Sequence, residues 1–488
     1  MERSLRIIVD TKESFYPKAE YVFMTFCNFL KIKACVYKFE TVDETETQYH
    51  DIFTVYYGNK VDTKYACTMH HNPIAADFYE EKRVYPNSDV VFQQFEDVKL
   101  PFLFSAPSFA DVIDSERSKE VIRLCNHDII ASAFYFLSCW QEYVVEDNVK
   151  VGDRYDFKNS MQFYFGFTEI PIVDYYCRLF EKELERVLNL ITPDKKPFVL
   201  SISHDIDYFE FWTKEHLFSV YKHNLKRFFS NPIKAIVKII GHCITKQFFW
   251  TAKKSLNKIL KKEEKFNCTS TAFLLTQSDK NDIRQEYFKN KDHRKQIKEI
   301  YLEKSVGLHG SMKSSSDIHL LCKQIDILKS YGFQIKGFRN HYLCFNYHSS
   351  FLLLEKAGIE YDATLGFWEQ IGFRAGISIP FYPYNLKDNK PFNIIEIPLC
   401  VMDVTLFSHK TMNMSYKKAK KKIFNMIDRA KRHNTHISIL WHNYIFDYID
   451  YPLWAKLYWD IIKYTKKSNG WICSLDKLCE YCKDECIN

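Results

Sequence analysis

The chain has 488 residues, 46% of them apolar and 17% aromatic, and 68 Lys+Arg against 61 Asp+Glu leave a net charge of +7. That length allows two or three domains with a sizeable buried core. No stretch approaches a transmembrane helix, and 15 cysteines, an odd number in no regular pattern, do not form a disulfide framework. Neither a membrane-spanning helix nor a disulfide-stapled secreted scaffold is expected.

Residues 1–192 are expected to form a smaller α/β N-terminal domain of unknown role. Arg6-Ile7-Ile8-Val9 and Ile52-Phe53-Thr54-Val55-Tyr56 have the composition of strands. Ile129 to Tyr143 has helical spacing, with Phe136, Trp140 and Tyr143 on one face, and Val173 to Leu190 is a second helix. The apolar run after Met1-Glu2-Arg3-Ser4-Leu5-Arg6 is too short for a secretory signal, so a reduced, cytoplasmic protein is expected. Thr192-Pro193-Asp194-Lys195-Lys196-Pro197, polar and proline-bounded, reads as a linker.

From Phe198 the pattern changes. Seven strand candidates begin near Phe198, Thr269, Ser305, Ile335, Tyr361, Ile394 and His436, mostly at βα spacing. The first run ends in His204-Asp205-Ile206-Asp207, where alternation puts Asp205 and Asp207 on one face. Two carboxylates side by side repel unless a cation, a proton or a substrate group lies between them. They could equally be loop aspartates capping a helix. Later runs also end in polar clusters: His309-Gly310-Ser311, Arg339-Asn340-His341, Gly372-Phe373-Arg374 and His442-Asn443. Short buried strands ending this way predict a parallel α/β barrel with its chemistry at the C-terminal strand ends.

The long first spacing holds an insertion at about 212–265. Lys214 to Lys265 carries 13 Lys+Arg and three Glu, a net of +10, leaving −3 for the remainder. Leu217, Tyr221, Leu225 and Phe228 share a helical face there. The segment is either a basic amphipathic surface for an anionic membrane or a helical cap with solvated lysines. Nucleic acid is not expected as a partner, because no binding motif accompanies the charge. At the C-terminus, Cys473, Cys479, Cys482 and Cys486 match no strong zinc spacing and are expected on an amphipathic helix.

Taken in order, His204-Asp205-Ile206-Asp207, Gly307-Leu308-His309-Gly310-Ser311, Arg339-Asn340-His341-Tyr342, Gly372-Phe373-Arg374 and Leu440-Trp441-His442-Asn443 resemble the polysaccharide deacetylase superfamily, a carbohydrate esterase family 4-like (NodB-homology) domain. The resemblance spans roughly residues 198–488 and implies a distorted (β/α)7 barrel. Phe134 to Tyr143, followed by Asp153-Arg154-Tyr155, is similar to an uncharacterised domain that precedes such barrels in Bacteroidetes-like bacterial proteins. The resemblance implies a hydrolase using one divalent metal ion, zinc, to remove an acyl group, an N-acetyl, from a carbohydrate. It implies Asp205 as general base, Arg339 as its orienting partner and His442 as general acid, with Asp207 and His309 as metal ligands. Arg374, Trp441 and Asn443 are read as substrate contacts. The family's second metal histidine is missing: Lys313 stands four residues after His309, and His319 lies too far on. His341 is the candidate for the third ligand and His204 the other option. A nucleotide- or lipid-linked sugar of envelope polysaccharide synthesis, handled in the cytoplasm or at the inner membrane face, is the expected substrate. A catalytically degenerate carbohydrate-binding barrel is the alternative, with aromatics near Phe367-Trp368 and Phe381-Tyr382-Pro383-Tyr384 for sugar stacking.

Overall fold

The computed structural model describes residues 4–41, 53–60, 65, 67–86, 90–105, 122–123, 125, 127–145, 154–188, 197–209, 252–277, 286–447 and 451–487. Residues 214–251 of the basic insertion lie outside the described residues, and its last stretch lies within them. The chain forms two compact units, residues 1–196 with 372–398, and 197–371 with 399–488.

The first unit is built on a parallel sheet of β1 (Leu5–Asp10), β2 (Ala34–Lys38), β3 (Phe53–Gly58), β4 (Cys67–His70) and β5 (Ile122–Arg123), in the order β2-β1-β3-β4-β5. Helix α1 (Tyr16–Leu30) buries Ala19, Val22, Phe23, Phe26 and Leu30, a stripe at i, i+3, i+4 spacing. Phe23 and Phe26 of this stripe meet Phe180 of α3 (Ile172–Leu188). Between these helices, α2 (Ile129–Leu137) is capped by Asp128, whose Oδ1 accepts from the Ala131 amide at 2.9 Å. The sequence predicted one helix as far as Tyr143. The chain instead breaks at Cys139, which has φ +46°, and resumes as a short helix over Trp140–Val144.

Segment 372–398 clusters with this unit, although its strand Ile395–Glu396 is part of the barrel sheet, where the sequence placed it. Gly372, at φ +139°, lies so close to Thr168 that a Cβ would sit 2.2 Å from its carbonyl oxygen. The Phe373 amide donates to Thr168 O at 2.9 Å, and the Ser378 amide to Asp174 Oδ1 at 2.9 Å. The aromatic run Phe381-Tyr382-Pro383-Tyr384 is part of this packing: Tyr384 is buried against Tyr21 and Phe134.

The second unit is built on a curled sheet of nine strands, as in a (β/α) barrel: β6 (Val199–Ile206), β7 (Thr271–Leu275), β8 (Val306–Gly310), β9 (Gly337–Asn340), β10 (Tyr361–Asp362), β11 (Val401–Met402), β12 (His436–Leu440) and β13 (Trp471–Cys473), with Ile395–Glu396 as the ninth. Ile395–Glu396 stands beside β10 at one end, and from there the order is β10-β9-β8-β7-β6-β12-β11, each of these labelled pairs parallel. On the β6 edge opposite β12, β13 pairs with Val199–Ser201 and β7 with Ser203–Ile206. The long strands are buried on both faces, which is why they read as apolar runs without alternation. The run expected at Ile394 does form a strand of this sheet, Ile395–Glu396, and Val401–Met402 and Trp471–Cys473 add two strands that the sequence did not predict. Cys479, Cys482 and Cys486 lie on a helix, Leu475–Ile487, while Cys473 ends β13; Cys473 and Cys479 are buried thiols.

Outside the sheet run α4 (Ala252–Lys265), α5 (Lys291–Tyr301), α6 (Ile318–Ser330), α7 (Ser350–Lys356), α8 (Tyr416–His433) and α9 (Pro452–Lys467). No helix among the described residues is long and apolar enough to cross a membrane.

Candidate active site

The C-terminal ends of β6, β8, β9 and β12 bring six of the sequence-predicted residues together. Asp205 and Asp207 follow one another on the same side of β6 and are 2% and 0% exposed. Next to them, β8 presents His309 and β9 presents Arg339, paired in register with each other.

Arg339 is fully buried and held on several sides. Its Nε donates to Ala363 O at 2.9 Å, its Nη1 to Ser203 Oγ at 2.7 Å and to Asp205 Oδ1 at 3.1 Å. The guanidinium also lies 4.5 Å above the Phe273 ring centroid. Asp205 thus has a fixed cationic partner on one oxygen, while its other oxygen lies 3.7 Å from His309 Nε2.

Asp207 faces three imidazoles. Its Oδ1 is 3.3 Å from His309 Nε2 and 3.7 Å from His341 Nε2, and its Oδ2 is 3.9 Å from His442 Nε2. Asp207, His309 and His341 are buried, and each offers one ligand atom within 4.8 Å of the others. This group could hold a metal ion. Ligand atoms about 2.1 Å from a tetrahedral ion stand about 3.4 Å apart, which the two Asp207–histidine separations bracket. A spacing of 3.7 Å is too long for a direct hydrogen bond. His309 Nδ1 donates to Arg339 O at 3.0 Å, which leaves Nε2, an atom with no hydrogen-bond partner, turned inward. A backbone carbonyl fixing the far nitrogen is the usual support of a metal-binding histidine. Burial would lower the His309 pKa, but Asp205 and Asp207 outweigh it and raise it. The same negative field suits a dication.

His341 reaches the group through an unusual turn. Tyr342 and Leu343 both adopt left-handed backbone, at φ 58° and 55°. Such residues cost about 1–2 kcal/mol each outside glycine. Asn340 Nδ2 donates across the turn to Cys344 O at 2.8 Å, and the Tyr342 ring stacks on His341 at 4.0 Å. Lys313 and His319 are exposed, so the spacing that failed in sequence is not repaired there.

His442 has a partner that the sequence reading missed. Asp403 is fully buried; its Oδ1 accepts from His442 Nδ1 at 2.7 Å and its Oδ2 from the His442 amide at 2.6 Å. Burial lowers the His442 pKa, but Asp403, then Asp207 and Asp205, raise it to about 9. The signal was present: Asp403 follows Cys400-Val401-Met402, an apolar run ending in a carboxylate. It is hard to see because Val401–Met402 is only two residues long and follows closely on the strand Ile395–Glu396.

His204 points away from this cluster, as alternation requires. Its Nδ1 donates to Trp441 O at 2.8 Å and its Nε2 to Glu263 Oε1 at 2.8 Å. Ser270 Oγ and the Tyr458 hydroxyl complete the Glu263 shell. Both ring nitrogens face acceptors, so the ring is an imidazolium. Burial opposes that charge and Glu263 restores it, with a raised pKa as the result. His204 is therefore a brace between β6, α4 and the end of β12, and not the third ligand. Glu263→Ala should cost about 3 kcal/mol, since it strands a buried charge. A thermal melt within about 1 °C of the wild type would contradict this.

Three expected substrate contacts are corrected or narrowed. Trp441 is fully buried and packs on Tyr458, leaving no face for a sugar. Arg374 lies in the first unit, where its Nε donates to Glu142 Oε1 at 2.7 Å in a buried ion pair. Asn443 is 6% exposed and ties two loops of the second unit, its Nδ2 donating to Tyr208 O at 2.6 Å. Aromatic side chains at this end include Tyr444 against both His442 and Tyr208.

Residues 7–189 match the model of a family of unknown function, DUF7033. No curated protein matches the chain. Two solved structures are similar at 14% identity. One is described as "putative polysaccharide deacetylase from Mycobacterium smegmatis" (TM-score 0.39, covering 61% of this chain and 93% of that one). The other is Puue allantoinase (TM-score 0.40, covering 59% of this chain and 91% of that one).

Proposed function

We propose that the second unit is a metal-dependent hydrolase that removes an acyl group, an N-acetyl, from a carbohydrate. The observation that carries this reading is the convergence on Asp207, His309 and His341 of two differently supported groups, Asp205 held by Arg339 and His442 held by Asp403. A sugar-binding protein has no use for such a pair.

A divalent ion on Asp207, His309 and His341, zinc by the chemistry of two imidazoles and a carboxylate, would polarise the acyl carbonyl and acidify water. Asp205 takes the proton of the attacking water. Arg339 keeps that carboxylate charged and aimed, since Nη1 fixes one oxygen and leaves the other turned toward the cluster. His442 delivers its Nε2 proton to the departing sugar nitrogen as the carbon–nitrogen bond breaks. Asp403 keeps the imidazole protonated and fixes which nitrogen faces the cluster. Substrate contacts fall to groups at the same strand ends, Asn443 among them.

We place the reaction in a reducing compartment, a reading supported by thirteen described cysteines that are all free thiols. A nucleotide- or lipid-linked saccharide of envelope synthesis is the substrate class we favour, on the strength of the basic segment 214–265.

The test is metal analysis of purified protein together with acetate release from N-acetylated oligosaccharides. We expect about one zinc per chain and metal-dependent release. Stoichiometric zinc without acetate release from any N- or O-acetylated saccharide would favour the binding-protein alternative.

A further inference from the structure

We propose that the barrel flank formed by α4, α8 and α9 is a docking surface for an anionic lipid bilayer. This stands apart from the hydrolase reading, because it uses none of the residues around Asp207.

The three helices are neighbours. Phe424 of α8 stacks on Tyr464 of α9 at 3.9 Å, and Lys262 of α4 lies 4.0 Å above the Trp459 ring of α9. Together they carry 18 Lys+Arg against four Asp+Glu, a net of +14, which leaves −7 for the rest of the chain. The few acids on the flank are engaged. Asp428 accepts from the Tyr464 hydroxyl at 2.7 Å, Asp460 pairs with Lys420 and Lys456, Glu264 pairs with Lys304, and Glu263 is buried against His204. Lys258, Lys261, Lys417, Lys418, Lys421 and Lys463 are exposed.

The charge on α8 works against its own helix. Five lysines lie within Tyr416–Lys422 and no acid occupies the first turn. They sit at the positive end of the helix dipole, where cations are disfavoured. The same end of α8 follows β11 and so lies at the C-terminal end of the sheet, as do Asp205 and His442. An external anionic surface would offset both repulsions.

A bilayer fits better than a nucleic acid. Sixteen of the 18 cations are lysines, point charges suited to a sheet of headgroups, whereas base and phosphate recognition favours the arginine fork. Leu453, at the start of α9, is 50% exposed and provides an apolar side chain for the interface.

The test is flotation of the full chain with vesicles of phosphatidylcholine alone or mixed with phosphatidylglycerol, at 0.1 M salt. The wild type should float with the anionic vesicles only and be released by 0.5 M salt. Lys417→Glu/Lys418→Glu/Lys421→Glu should weaken partitioning by about a hundredfold or more, with an unchanged melt because all three side chains are exposed. Lys417→Arg/Lys418→Arg/Lys421→Arg should retain binding. A second reversal, Lys261→Glu/Lys463→Glu, should also weaken it. Equal binding to neutral vesicles, no binding to anionic ones, or partitioning unaffected by both reversals would overturn the proposal. So would tighter association with duplex DNA than with anionic vesicles at the same salt.

Discussion

Asp207→Ala protein should bind zinc more than about a hundredfold less tightly than the wild type, since losing a direct ligand costs more than losing a supporting residue. Asp207 is the one residue that faces all three imidazoles, His309, His341 and His442. Its removal leaves two neutral donors, with Asp205, already paired with Arg339, as the nearby negative charge. Calorimetric titration measures the affinity directly. The thermal melt offers a second reading, because a ligand that binds only the folded state at a thousand times its Kd adds about 4 kcal/mol. Zinc should therefore raise the melting temperature of the wild type and leave that of Asp207→Ala unmoved. His341→Ala should fall between the two. An Asp207→Ala protein with full zinc occupancy would show that the ion, if any, is held elsewhere.

Asp205→Asn and His442→Ala should each keep the fold and the metal but lose turnover by roughly 10²–10⁴-fold, the usual weight of a positioned acid or base. The pH profile separates their roles. His442 must be protonated to serve as the acid, and its raised pKa of about 9 keeps it so at neutral pH. Activity should then decline on the alkaline side as His442 loses its proton, below that value once a dication sits on Asp207. A cation held by Asp207 weakens that carboxylate's pull and leaves Asp403 as the main support. Asp403→Asn removes this support, and with burial then dominant the alkaline limb should move to lower pH. In His442→Ala the limb should vanish. An alkaline limb unmoved in both variants would assign the acid to another group.

Much of the second unit was legible along the chain because its strands are parallel and buried on both faces. Such strands are short apolar runs, and their C-terminal ends are where polar residues become affordable. That rule located Asp205, Asp207, His309, Arg339, His341 and His442. It failed where two strands crowd together. Ile395–Glu396 is the strand expected at Ile394, but Val401–Met402, only two residues long and close behind it, is not legible as a separate run, and that concealed Asp403 at its end. Trp441 and Arg374 failed for a different reason. Position beside a motif says nothing about where a side chain points, and both are fully committed to burial, Trp441 against Tyr458 and Arg374 against Glu142.

The sequence by itself determined the class of the second unit, the run of strand ends and the residue types gathered there, because these follow from periodicity and from the cost of burying charge. It also determined the uneven charge, since lysines counted along the chain stay where they are. Only the tertiary structure decided the third member of the Asp207–His309 group. His341 and His204 are both candidates on paper, and the choice depends on the left-handed turn at Tyr342 and Leu343 that carries His341 inward. It also decided that His204 braces the barrel while its neighbours Asp205 and Asp207 face the cluster. Alternation separates the two faces of a strand, but which face meets Glu263 of α4 depends on how helix and sheet pack. Likewise the joining of α4, α8 and α9 into one basic flank comes from the order of strands in the sheet, which places segments more than 150 residues apart side by side.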